Sequence, residues 1–138
     1  MKAITAIADA WAPRVLSVLR FVTGLVYMEH GTHKMFNFPD RGPHEAYNLM
    51  TLTPGVTGVL EVFGGLLIVL GLFTRPAAFI LSGEMAIAYW TVHALRSPYP
   101  YVNGGDPAIL FCFIFLYLAC AGGGPWSLDA LLRKPKAT

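Results

Sequence analysis

The chain has 138 residues, 55% of them hydrophobic and only 13% charged, with a net charge of +2 and a mean hydropathy of +0.54. A soluble domain usually carries about 25% charged residues, so a plain soluble enzyme and a disordered chain are both disfavoured. With no run of basic residues there is no nucleic-acid footprint either, and one small integral membrane domain over residues 1–138, in contact with the lipid bilayer, is the expectation.

The first twelve residues include Asp9 and lack a continuous apolar core, so they do not read as a cleavable signal peptide. The first hydrophobic helix is expected to act as an uncleaved anchor. Pro13, Pro54, Pro76 and Pro107 each precede a long apolar stretch, where a missing N–H costs nothing at the first helical position. Transmembrane helices are predicted at 14–35, 54–73, 76–95 and 107–121, the first three near the roughly 20 residues needed to span hydrocarbon. Thr53 and Asp106 are placed to cap two of them, and Thr74 sits two residues before Pro76. A polar loop over 36–53, with Asp40, Arg41, His44 and Glu45, follows the first helix. Thr74-Arg75 makes a tight turn, and a Tyr/Pro/Gly loop covers 96–106. The fold class is therefore all-α: a polytopic up-down bundle of four transmembrane helices.

Lys2, Arg14, Arg75, Arg133, Lys134 and Lys136 fall on the side of the termini, against Lys34, Arg41 and Arg96 on the other. That bias places both termini in the cytoplasm. Cys112 and Cys120 are eight residues apart on one helix, roughly 12 Å along its axis. They are too far apart for a disulfide and read as small packing residues.

Ionisable side chains inside the apolar helices each need a partner or a purpose, because a charge at bilayer depth costs on the order of 3 kcal/mol. Glu29 and Glu61 fall at matched depth in the outer half, with His30, His33 and His93 nearer the surface. Pro54, Gly58, Glu61 and Gly65 share one stripe of the second helix, which should let another backbone approach and turn Glu61 into the bundle. Glu29, His30, His33, Glu61 and His93 are therefore the candidates for ligand binding or proton handling. Two close carboxylates can share and relay a proton; the bland alternative is that they only cement helices. Arg20 and Glu84 lie at similar depth near the cytoplasmic side and are candidates for a buried ion pair.

No metal site is expected. Thr32, Gly64 and Ile87 stand where a Glu-x-x-His ligand pair would put histidine, and a haem between His33 and His93 is disfavoured. Tyr89, Trp90, Tyr99, Tyr101 and Trp126 read first as an interfacial aromatic belt, and second as a stacking wall for a flat ligand such as a quinone.

His30-Gly31-x-x-Lys34 closes the first helix, Glu61-x-x-Gly64-Gly65 and Gly71-x-x-Thr74-Arg75 mark the second, and Ser127-Leu128-Asp129 lies in the tail. In order and spacing these elements resemble the DoxX family of small membrane proteins over nearly the whole chain. The resemblance implies a four-helix bundle in the bacterial inner membrane. Some relatives are subunits of thiosulfate:quinone oxidoreductase or accompany oxidative-stress and quinone-detoxifying proteins, but the family supplies no catalytic residues to carry over. The expectation is a small quinone- or redox-associated subunit with an outer-half Glu/His pocket. Any enzymatic role would be as part of a quinone-linked oxidoreductase, beside a redox protein partner or in a homo-oligomer. A non-catalytic assembly subunit and a proton-coupled small-molecule carrier are the alternatives. No cofactor is evident from the residues themselves.

Overall fold

The computed structural model describes residues 1–40, 42 and 46–133. Arg41, His44 and Glu45 of the predicted polar loop, and Lys134 and Lys136 of the tail, lie outside the described residues. Among the described residues the chain is all-helical, with no strand. In chain order the elements are α1 (Lys2–Phe36), α2 (Leu52–Leu70), α3 (Thr74–Ala88, continued by a π-helical turn at Tyr89–His93), α4 (Pro100–Asn103), α5 (Asp106–Ala121) and α6 (Leu128–Leu132). By length and composition, α2 is a helix long and apolar enough to cross a membrane; α5 is apolar but shorter.

Three of the four predicted long helices are found with small shifts, and the first is corrected. α1 starts at Lys2 and runs through Pro13. Ala3, Ala6, Ala8, Ala10 and Ala12 precede the proline, and alanine is the best helix former, so the helix absorbs Pro13 instead of starting there. Arg14 stitches the turn by donating to the Ala10 carbonyl at 2.7 Å. The predicted caps are also revised. Thr51, not Thr53, caps α2 by accepting from the Gly55 N–H, and Gly105 precedes α5, which begins at Asp106 itself.

α1 and α2 pack antiparallel along a line of small residues. A Cβ added at Gly24 would come within 2.8 Å of the Val69 backbone nitrogen, and one at Gly31 within 2.7 Å of the Val62 nitrogen. The predicted small-residue stripe on α2 is buried at Gly58, Glu61 and Gly65, so backbone-to-backbone approach is what that stripe provides. α3 and α5 form the second close pair, with Ser82 donating to the Cys112 carbonyl at 2.9 Å. The core lies where the two pairs meet. Tyr27, Ile68, Ala78, Leu81, Phe115 and Leu118 are at most 1% exposed. The Tyr27 ring meets Phe115 edge-on, with centroids 4.8 Å apart. Large apolar side chains such as Phe63, Phe79, Leu110 and Phe113 are exposed on the outer faces of the helices.

The end that carries the α2–α3 turn is closed by two polar devices. Arg20, 2% exposed, donates to the carbonyls of Ile68 and Val69 at the end of α2, to Gly123 at 2.9 Å and to Trp126 at 2.6 Å. Helix C-termini leave carbonyls without intrahelical partners, and one guanidinium satisfies several at once. The second device is Asp129. Its two carboxylate oxygens accept the N–H groups of Phe73 and Thr74, both at 2.8 Å, while its own N–H donates to Gly71 O at 2.9 Å. The start of α3 is thus capped from the tail of the chain instead of by Thr74. This gives the Ser127-Leu128-Asp129 tail a physical role.

Partial burial works to push the Asp129 carboxyl up, but the backbone hydrogen bonds from Thr74 and Phe73 outweigh it and hold the group below the usual carboxylate range. Stability gained this way is complete above the unfolded-chain value of about 3.9 and is lost as pH falls through the lower folded value. Asp129→Ala is therefore expected to cost about 1 kcal/mol at neutral pH, as loss of a helix cap does. Thermal melts of parent and variant in detergent should converge in strong acid. A gap that stays constant down to that pH would remove the charge from the explanation.

Candidate functional site

α1 turns one face to the bundle, and the same periodicity decides which polar residues enter the site. Ser17, Arg20, Thr23, Gly24, Tyr27 and Gly31 are the buried positions of this helix, and Lys34 continues the stripe. At about 100° per residue, Glu29 and His33 fall roughly 200–240° round from Tyr27. Both are exposed, and neither lines the cavity described below. The expected Glu29–Glu61 juxtaposition is corrected accordingly. Glu29 is exposed whereas Glu61 is buried against α1, so the two carboxylates lie on faces pointing different ways.

Glu61 pairs instead with Lys34, whose ammonium donates to Oε1 at 2.6 Å; Glu61 is 3% exposed and Lys34 26%. Lys34 also donates to Thr57 Oγ1 at 3.4 Å. Glu84 does not meet Arg20. Its Oε2 accepts from the Tyr27 hydroxyl at 2.5 Å, and Tyr27 is seven residues, about 10 Å of helix, beyond Arg20. The proposed ion pair fails for that reason: Arg20 is spent on backbone carbonyls at one end, and Glu84 belongs to the middle of the bundle. Tyr27 and Lys34 are the residues that sequence reasoning left out of the site. The spacing Tyr27, His30, Gly31, Lys34 (i, i+3, i+4, i+7) is the signal that could have found them.

These groups line a cavity of about 660 Å³ between the two helix pairs, on the side of the long loops. α2 and α3 touch where a Cβ on Gly64 would meet Leu81 at 2.7 Å. Beyond that point residues of both helices line the cavity. The cavity walls there, Leu52, Val56, Ile80 and Ile87, are 70%, 44%, 57% and 61% exposed, so the space opens sideways between α2 and α3. Gly83 lies on this open wall, and a Cβ there would meet nothing within 4 Å. The floor holds Tyr27, Glu61 and Glu84. Glu61 Oε2 and Glu84 Oε1 are buried and have no hydrogen-bond partner among the described residues.

The π-helical turns Leu52–Val56, Leu60–Gly64 and Tyr89–His93 all contribute residues to the lining. Such turns are rare and cluster at functional sites. Two expected candidates are also present. His30 lines the cavity with its ring edge-on to Phe111, at 5.8 Å between centroids. His93 is held by a contact of 3.1 Å between Nδ1 and the Asn103 carbonyl and stacks with Tyr89. Of the predicted aromatic belt, Trp90, Tyr99, Tyr101 and Trp126 are exposed, whereas Tyr89 is half-buried. The arrangement offers an apolar chamber with acceptor oxygens at its floor and a basic group beside them.

Comparison with known proteins places the chain. The family model of DoxX matches residues 15–94. An uncharacterized protein of Haemophilus influenzae is 40% identical over 127 residues, covering 88% of this chain and 92% of its own length. An uncharacterized membrane protein of Mycobacterium tuberculosis is 33% identical over 142 residues, covering 91% of this chain and 85% of its own. No solved structure matches. With a family match over more than half its length and relatives that align almost end to end, the chain belongs to the DoxX family of membrane proteins.

Proposed function

We propose that this protein is a four-span bundle of the bacterial inner membrane that holds a lipid-soluble, quinone-class ligand in its lateral cavity, as a small subunit of a redox system. In this reading α1, α2, α3 and α5 cross the bilayer with both termini in the cytoplasm, following the excess of Lys and Arg on that side. The Arg20 and Asp129 end is then cytoplasmic, and the cavity occupies the outer half. The observation that carries the reading is the shape of the site: an apolar chamber open towards the hydrocarbon between α2 and α3, with Glu61 and Glu84 at its floor. A ligand dissolved in the bilayer reaches such a chamber without crossing water, and a polar headgroup finds its partners at the bottom. Quinones have that build.

The packed layer of Tyr27, Ile68, Leu81 and Phe115 closes the floor, which favours a holder over a carrier with a path through the membrane. The measurement is native mass spectrometry of the detergent-purified protein, with extraction of bound quinone. The expected result is quinone in the parent. In Gly83→Leu bound quinone is expected to fall at least tenfold, because the new side chain fills the mouth. This variant should fold as well as the parent or better, since leucine is favoured over glycine in helices by up to about 1 kcal/mol. A parent protein that carries a protein partner but no quinone, and binds none when supplied, would hand the case to an assembly subunit.

A further inference from the structure

Resting on the quinone-class reading, we infer that the cavity selects the reduced ligand, a hydroquinone that donates hydrogen bonds, over the oxidised quinone. The donors on the floor are already engaged. The Lys34 ammonium is given to Glu61 and Thr57, and the Tyr27 hydroxyl to Glu84. With both carboxyls ionised, what the floor has left among the described residues are acceptors, Glu61 Oε2 and Glu84 Oε1.

A hydroquinone brings two O–H donors to these atoms. A quinone brings only carbonyl oxygens, which would face carboxylate oxygens with no proton between them. Both orphan oxygens are buried, and a buried acceptor without a partner is costly, so a ligand that supplies the missing donors is favoured by that relief. Sites built around a ligand hydroxyl discriminate strongly against the analogue that lacks it. The walls contribute little to the choice, because the two redox forms have nearly the same ring and tail.

The test uses the full-length protein in detergent under anaerobic conditions, with a decyl-substituted benzoquinone and its hydroquinone as probes, their binding read by equilibrium dialysis. The expected result is that the hydroquinone binds at least about tenfold more tightly. In Glu84→Gln the ratio should fall towards one, because the amide can turn its NH2 to a quinone carbonyl. Glu61→Gln serves as the second variant if the first melts early, and the same loss of discrimination is expected from it. Equal binding of both forms by the parent, or tighter binding of the quinone, would overturn the selection while leaving the quinone-class reading in place. Failure of both forms to bind would overturn that reading and this inference with it. A ratio unchanged in both glutamine variants would also overturn the inference, since it would take the carboxylates out of the discrimination.

Discussion

Replacing Arg20 with methionine is expected to be the most damaging single substitution in the chain, at about 3–5 kcal/mol. The side chain is 2% exposed, and its guanidinium holds the carbonyl end of α2 and the 123–126 segment together. Without it the buried carbonyls of Ile68, Val69 and Gly123 lose a donor, and each orphaned group carries a desolvation cost of about 1–3 kcal/mol. Arg20→Lys should recover only part of the loss, because an ammonium cannot reproduce the planar fork that reaches several acceptors. The double variant Arg20→Met with Glu84→Gln separates this account from a buried Arg20–Glu84 pair. Since the two side chains share no partner, their effects should add to within about 0.5 kcal/mol. Recovery of stability in the double variant, measured by thermal melting in detergent, would restore the ion pair.

The Lys34–Glu61 pair gives the second large effect, and it has the opposite logic. Lys34→Met should destabilise by about 3 kcal/mol or more, because it leaves the Glu61 carboxylate, 3% exposed, buried without its cation. Lys34 is partly exposed, which holds the expectation at the lower end of the range for buried pairs. Combining it with Glu61→Leu should restore most of the stability, since a buried ion pair can be replaced by apolar residues at little net cost. The double variant should nonetheless lose hydroquinone binding, because the floor has then lost one of its acceptors. A stable double variant that binds as the parent does would show that the pair is helix cement and nothing more. If Lys34→Met alone melts with the parent, the pair contributes no stability.

The helical class and the burial of Glu61 were legible in the sequence, because each follows from local pattern, whereas the turn expected at Thr74-Arg75 lies at 71–73: Gly71, in the left-handed region, ends α2, and Thr74 and Arg75 already belong to α3. Apolar stretches bounded by Pro76 and Pro107 give elements, and Gly58, Glu61 and Gly65 at helical spacing give a close-packing face. The motif His30-Gly31-x-x-Lys34 already contained the cation that Glu61 uses, although reading by depth favoured Glu29. Depth along an axis is set by residue number, but orientation round it is set by which face the partner helix covers. Once Gly24 and Gly31 are pressed against α2, Tyr27 and Lys34 must turn inward and Glu29 and His33 outward.

Only the tertiary structure decided the remainder. Arg20 finds carbonyls from segments 48 to 106 residues away, and Asp129 caps a helix that starts 55 residues earlier. Backbone groups at helix ends have no residue-type signature, so nothing in the sequence marks them as partners. The cavity is decided in the same way. It lies between helices α2 and α3, which meet at Gly64 and Leu81, and the space left between helices is a property of how two surfaces pack, not of either surface alone.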